Sequence, residues 1–223
     1  MKRIFRYLPL FLLPAFFLPL AHAQYGFDIG VGFGAMQAKA ASTGLDSSTL
    51  ASCTVATDST CINTSKLNSV AMGISGNVMA WKHFGVGAEV NFQPSKSDYM
   101  NAMSSAGYTI QSRMTLFDAN GIYQPIRTKK VAFQVSGGAG LANLRYYESA
   151  STGTAIGASN YSSYFGSNNH FQVHGGVGVQ LYLTEHIFLR PQFDVHYVNN
   201  LTQFGSKFVT SETVWLGYTF GGQ

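Results

Sequence analysis

The chain has 223 residues, 46% of them hydrophobic and only 11% charged, with a formal net charge of +4. A soluble domain carries about 25% charged residues, so a densely solvated surface is excluded. Three of the 14 basic residues, Lys2, Arg3 and Arg6, open the chain. They precede an apolar run from Leu8 to Leu20 that Pro9, Pro14 and Pro19 interrupt and Ala21-His22-Ala23 closes. This is the layout of a secretory signal peptide over residues 1–23, cleaved before Gln24. Residues 24–223 then hold 11 basic and 10 acidic groups, which excludes the basic footprint of a nucleic-acid partner. No other stretch nears the roughly 20 apolar residues of a membrane helix.

From Tyr25 onward the hydrophobic period is two. Tyr25, Phe27, Ile29, Val31 and Phe33 alternate with Gly26, Asp28, Gly30, Gly32 and Gly34. Successive side chains on a strand point to opposite faces, so the first strand, near 25–36, has one greasy wall and one small or polar wall. A second strand near 69–80 sets Val70, Met72, Ile74, Val78 and Ala80 on one side, and a third near 85–93 opposes Val86, Ala88, Val90 and Phe92 to Gly87, Glu89, Asn91 and Gln93. The fourth, near 108–123, is mixed: Tyr108, Ile110, Met114 and Leu116 share one parity, Phe117, Ala119 and Tyr123 the other. A bulge near Thr115 would reconcile them. Strands near 130–145 and 169–183 follow, the latter with Phe171, Val173, Val177 and Val179 against Gln172, His174, Gly176 and Gly178. The seventh, near 186–198, opposes Ile187, Leu189, Phe193, Val195 and Tyr197 to Arg190, Gln192, Asp194 and His196. The eighth, near 208–220, carries Val214, Leu216, Tyr218 and Phe220 outward and leaves Glu212 on the greasy wall.

In the clearest strands every charge sits on the polar wall. Hydrocarbon cannot solvate charge, so the greasy wall is read as lipid-facing. A secreted soluble barrel would turn that wall inward, but it would need a well-charged outside. Connections alternate between short (residues 81–84, 124–129 and 184–185) and long (about 37–68, 94–107, 146–168 and 199–207). Short periplasmic turns and long extracellular loops are the habit of outer-membrane barrels. The expected fold is all-β: an eight-stranded antiparallel up-and-down transmembrane β-barrel over 24–223, following a cleaved signal peptide. Trp81, Phe84, Tyr123, Tyr182 and Phe220 are expected near the periplasmic interface, with Tyr146 and Tyr147 near the outer one. No periplasmic domain is expected after the last strand.

The alternating strands, the glycine-rich segments Gly137-Gly138-Ala139-Gly140 and Gly175-Gly176-Val177-Gly178, and the ending Gly217-Tyr218-Thr219-Phe220 resemble the small eight-stranded outer-membrane barrels of OmpA-barrel and OmpX type, within the outer-membrane β-barrel domain family. The resemblance spans residues 25–220 and implies a Gram-negative-type outer membrane, a lipid environment, a monomer, and delivery by the barrel-insertion machinery. In that family an aromatic-x-aromatic ending is the insertion signal. Tyr218 and Phe220 match it, while Gly221-Gly222-Gln223 extend past the usual terminal aromatic.

Four features bear on function. Cys53 and Cys61, the only cysteines, read as a disulfide in an exported chain. Asp28, Glu89, Arg113, His170, His174, Arg190, Asp194 and His196 read as a polar lumen network with Arg190 paired to Asp194 or Glu89, because buried unpaired charge is costly. A metal or acid/base site is the rival reading of the same histidines; no metal or cofactor is expected. His196-Tyr197-Val198-Asn199 resembles the His-x-Ser-Asn segment of barrel-type lipid A deacylases, but Val198 replaces the nucleophilic serine. Finally, Tyr146, Tyr147, Tyr161, Tyr164 and Phe165 lie among Ser, Gly, Asn and Thr, the chemistry of adaptable binding loops. The expectation is a non-enzymatic barrel displaying surface loops for envelope integrity, adhesion or recognition of an extracellular ligand. A narrow channel and a lipid A-modifying enzyme are the alternatives.

Overall fold

The computed structural model describes residues 26–39, 43–46, 52–54, 61–62, 67–100, 108–152, 159–202 and 204–221. Among these, twelve strands are formed: β1 (Phe27–Ala38), β2 (Thr43–Asp46), β3 (Ser52–Thr54), β4 (Cys61–Ile62), β5 (Leu67–Met79), β6 (Phe84–Phe92), β7 (Ser97–Met100), β8 (Tyr108–Arg127), β9 (Val131–Thr152), β10 (Ser159–Tyr182), β11 (Ile187–Val198) and β12 (Phe208–Phe220). Eight of them make the expected antiparallel barrel, in the order β6-β5-β1-β12-β11-β10-β9-β8, closed by pairing of β6 with β8. Short β7 extends the β8 edge beyond the end of β6. β2, β3 and β4 form a separate small sheet within the first long connection. Closure leaves the barrel without an open sheet edge, which a bilayer demands.

The outer wall is as the alternation predicts. Phe27, Ile29, Val31 and Phe33 on β1, Val177 and Leu181 on β10, and Val214, Leu216 and Phe220 on β12 are all exposed, while Asp28, His174, Gln180 and Thr219 beside them are buried. The lower rim carries an aromatic girdle. Phe84 stacks on Tyr123 at 4.9 Å, Phe27 on Phe220 at 5.8 Å, and Tyr218 meets Phe220 edge-on at 4.7 Å. Tyr182 lies at that height but turns inward, edge-on to buried Phe188 at 6.0 Å. The short turns are locked by hydroxyls: Thr128 Oγ1 accepts from Val131 N at 3.0 Å, and Thr184 Oγ1 from Ile187 N at 2.9 Å.

Two expectations are corrected. The fourth barrel strand, β8, has no bulge at Thr115; Ser112, Met114, Leu116, Asp118, Asn120 and Ile122 all face inward in one register. Its irregularity falls between Tyr123 and Ile126, where Pro125 cannot donate a ladder hydrogen bond. The third long connection is also shorter than 146–168. β9 and β10 run 22 and 24 residues, and β8 runs 20, against 12 for β1 and 9 for β6. At about 3.3 Å per residue and a tilt near 40°, such strands rise about 50–60 Å, roughly twice the height of a lipid band of about 25 Å. Three strands therefore stand above the membrane as a tall wall.

On that upper part the walls exchange character. Asn143, Arg145, Ser167 and Asn169 take the outward parity, and Asn143 Nδ2 donates to Asn169 Oδ1 at 2.6 Å while Arg145 Nε donates to Asn143 Oδ1 at 2.9 Å. Inward lie Met36, Ala38, Leu67, Ala71, Met114, Leu116, Ala142, Leu144, Val198 and Val209, packed as one apolar cluster. Leu201 and Phe204, from the fourth long connection, fold into the same cluster, tied down by Gly205 N donating to Lys39 O at 2.8 Å. The mouth of the barrel is plugged with hydrocarbon.

Candidate functional site

Below the plug the lumen is polar and filled. Its size is set by pairing large side chains with glycine. Trp215, on β12, is fully buried over a glycine floor. A Cβ placed on Gly32 would lie 2.8 Å from its ring, and one on Gly73 2.6 Å. Both distances are shorter than contact allows, so only glycine admits the indole. Arg190 sits 5.3 Å over the same ring, a cation–π arrangement.

The guanidinium organises the first of two polar clusters. Arg190 Nη2 donates to Glu89 Oε1 at 3.0 Å and to Ser75 Oγ at 3.4 Å. Nη1 donates to the carboxamide oxygen of Asn77 at 2.9 Å once that amide is turned to satisfy both its ends. Glu89 is thus the partner of Arg190. Asp194 is held by Gln192, whose Nε2 reaches its two oxygens at 3.1 and 2.9 Å and Glu89 Oε2 at 3.2 Å. A single carboxamide bridges the two carboxylates.

The second cluster lies next to it, directly under the plug. Asp118 on β8, His174 on β10 and His196 on β11 are all buried. Asp118 Oδ1 is 3.0 Å from His174 Nδ1 and 3.9 Å from His196 Nδ1, and it accepts from Gln172 Nε2 at 2.8 Å. The two imidazoles are 5.0 Å apart at 34°. His196 Nε2 lies 3.4 Å from Ser211 Oγ. Near the lower mouth, Asp28 accepts from Thr219 Oγ1 at 2.7 Å and from Gln180 Nε2 at 3.3 Å, and Gln124 donates to both Gln134 and Gln180 at 3.3 and 3.4 Å.

The structure therefore brings Asp28, Glu89, His174, Arg190, Asp194 and His196 into the lumen. Two of the expected residues do not join them. Arg113 takes the outward parity near the top of β8, where Nε donates to the Gln93 carbonyl at 3.0 Å. His170 is inward but level with the plug, its Nδ1 3.1 Å from Asn199 O. Asp118, Gln172, Gln192 and Trp215 were not singled out in the sequence. For Asp118 the signal existed, since its parity opposes Phe117 and Ala119, but the mixed pattern of its strand obscured it.

Asp118, His196 and Ser211 follow the order of an acid–base–nucleophile relay, but the chemistry is shut off. At 3.9 Å the first pair exceeds hydrogen-bond length, and Ser211 is fully buried, so no acyl group can reach it. Cys53 and Cys61 pair through their backbones with Gly44 and Asp46 of β2, as Gly44↔Cys53 and Asp46↔Cys61; their side chains, and residues 1–23, lie outside the described residues.

The chain is similar to solved outer-membrane proteins. A major outer membrane protein from Thermus thermophilus superposes with a TM-score of 0.52 at 13% identity, over 87% of this chain and 98% of that one. OprG from Pseudomonas aeruginosa gives 0.48 at 16%, over 88% and 96%, and Neisserial surface protein A gives 0.47 at 16%, over 87% and 97%. No curated protein sequence matches significantly. The family model described as the outer membrane protein beta-barrel domain matches residues 8–220. With its apolar lipid-facing wall, aromatic girdle and filled polar lumen, the chain belongs to that family, and the protein is an outer-membrane β-barrel of a Gram-negative-type bacterium.

Proposed function

We propose that this barrel is a non-enzymatic display scaffold, carrying extracellular surface for recognition or adhesion and strengthening the envelope by its own rigidity. The observation that carries this reading is the tall β8–β9–β10 wall. A membrane span needs about 9–11 residues per strand, yet these run 20, 22 and 24. The excess holds Tyr147 and Tyr164, 6.0 Å apart and edge-on, with Lys96 Nζ 4.3 Å over the Tyr147 ring. Rigid aromatic area beside a cation, among Ser and Asn, suits recognition of an extracellular partner.

The alternatives have less support. A conducting pore needs a water path, and here an apolar plug lies across a lumen already filled by side chains. A lipid A-modifying enzyme needs a nucleophile facing lipid, whereas Val198 stands where the serine would be and His196 is buried inside. The disulfide between Cys53 and Cys61 belongs to the same proposal as a brace for the first loop, as does Tyr218 with Phe220 as the insertion signal. Monomeric assembly and delivery by the insertion machinery also belong to it.

The test compares cells producing the wild-type barrel with cells producing a Tyr147→Ser, Tyr164→Ser double variant. Binding to an array of extracellular proteins and glycans should fall while the folded barrel remains heat-modifiable in detergent. Steady conductance steps from the purified protein in planar bilayers would replace display with the channel reading. A lipid A profile altered by His196→Ala would replace it with the enzyme.

A further inference from the structure

The Asp118–His174–His196 cluster is unfinished as a hydrogen-bonded network. Both Nδ1 atoms lack an aligned hydrogen bond, and Asp118 Oδ2 has no partner, although all three residues are buried. Groups left in that condition inside a dry space cost free energy. Their arrangement is convergent: one ligand atom from each residue lies within 4.8 Å of the other two. In the tautomer that donates His196 Nε2–H to Ser211 Oγ, Nδ1 is left as an acceptor 3.9 Å from Asp118 Oδ1. His174 Nδ1 approaches the same oxygen. Three potential ligand atoms gathered this closely, and left without aligned hydrogen bonds, call for a positive charge between them.

The charge count of the lumen agrees. Among the described residues, Asp28, Glu89, Asp118 and Asp194 are buried carboxylates, and Arg190 is the only buried Lys or Arg. Arg190 is committed to Glu89, which leaves the layer holding Asp118 and Asp194 short of cation. Two imidazoles and a carboxylate form a borderline ligand set that suits a first-row divalent ion, above all Zn²⁺. Zinc–ligand bonds of about 2.0–2.1 Å place tetrahedral ligands about 3.3 Å apart. The 3.0 Å pair is close to that spacing, and the 3.9 Å pair and the two imidazole nitrogens, all within 4.8 Å, approach it by rotation of the two rings. Gln172 on Asp118 and Ser211 on His196 are the outer partners that orient such ligands.

We propose that Asp118, His174 and His196 form a structural site for a divalent transition-metal ion, Zn²⁺ in class, which ties β8, β10 and β11 together inside the lumen. The site stands independently of the display reading. Because the apolar plug lies immediately above it, with Leu116 and Val198 two residues away from Asp118 and His196 on their strands, the ion enters while the barrel closes and leaves slowly afterwards.

The whole barrel, stripped with EDTA in denaturant, is refolded in detergent with Zn²⁺ or Co²⁺ present throughout. Elemental analysis after exhaustive dialysis should find one ion per barrel, Co²⁺ should give the intense visible absorption of a four-coordinate site completed by one water, and metal-loaded barrel should unfold at higher temperature than metal-free barrel. His174→Gln, His196→Gln and Asp118→Asn should each weaken retention by more than the roughly 10–100-fold that loss of an outer partner causes, whereas His83→Gln and His170→Gln should not. If a site variant fails to fold, the wild-type Co²⁺ spectrum decides alone. A wild-type barrel that keeps less than a tenth of an ion, a six-coordinate Co²⁺ spectrum, or equal loss in the His83 and His170 variants would overturn the site.

Discussion

The lower and upper halves of this barrel solve opposite solvent problems with the same strands. In the lower half, Val177 and Val135 face out while His174 and Gln134 face in. In the upper half Leu144 and Leu116 face in, and Asn143 and Arg145 face out. β9 passes through both halves with its pairing to β10 unbroken from Val131 to Arg145, so no bulge is needed to exchange the walls. What changes is the medium outside. Hydrocarbon excludes charge and accepts apolar side chains without cost, whereas above it water makes the outside polar and drives apolar groups inward. The molecule is a membrane barrel continued upward as a water-soluble one.

The largest expected effect lies in the lower lumen. Arg190→Ala strands Glu89 in a buried site and should cost about 3–5 kcal/mol, less whatever lumen water recovers. Adding Glu89→Gln should return part of that loss, as a double-mutant cycle of urea unfolding will show. In the upper half the corresponding sensitivity is to cavities. Leu144→Ala in the plug should cost about 2–5 kcal/mol, whereas Leu141→Ala, three residues earlier on the lipid wall, should cost only a fraction of that. Equal losses at the two sites would mean that the walls do not exchange.

Charge placed outside should separate the halves next. Val177→Arg, exposed among lipid-facing neighbours, should destabilise the barrel by about 2–4 kcal/mol. Ser167→Arg, outward on the same strand ten residues above, should change stability by no more than about 0.5 kcal/mol. A smaller effect tests how the lower lumen is filled. Gly32→Ala puts a methyl 2.8 Å from the Trp215 ring and should cost about 1–3 kcal/mol by overpacking, read from unfolding and from a shift in tryptophan fluorescence.

The same division explains how much could be read in the chain. Asp28, Glu89, Arg190 and Asp194 all oppose greasy neighbours, so the membrane half was legible from parity alone, and with it the barrel, its eight strands and most of its lumen. Above the membrane the rule reverses. Apolar Met114 and Leu116 suit a lipid-facing wall and charged Arg113 suits the lumen, yet each takes the other wall. The Ser, Gly, Asn and Tyr of 146–152 and 159–168 resemble loop, and water on one side with β9–β10 pairing on the other makes them strand. Glu212 remains on the outward wall beside Ala35 and Phe193. Eight residues above Phe220, it stands about 20 Å higher on a strand tilted near 40°, at the upper edge of the lipid band. The fit of Trp215 between Gly32 and Gly73, and the meeting of Asp118 with His174 and His196, depend on which residues face each other across the lumen. That is set by closure and register, not by any local pattern.

Spin labels introduced singly at Val177, Leu141, Leu144, Arg145 and Ser167, with the barrel in lipid bilayers, measure the exchange of walls most directly through their collision rates with oxygen and with a water-soluble nickel complex. Labels at Val177 and Leu141 should collide chiefly with oxygen, those at Arg145 and Ser167 chiefly with nickel, and that at Leu144 with neither. Oxygen-dominated collisions at Leu144 would contradict the inverted upper wall and the plug built on it, as would a shielded label at Arg145.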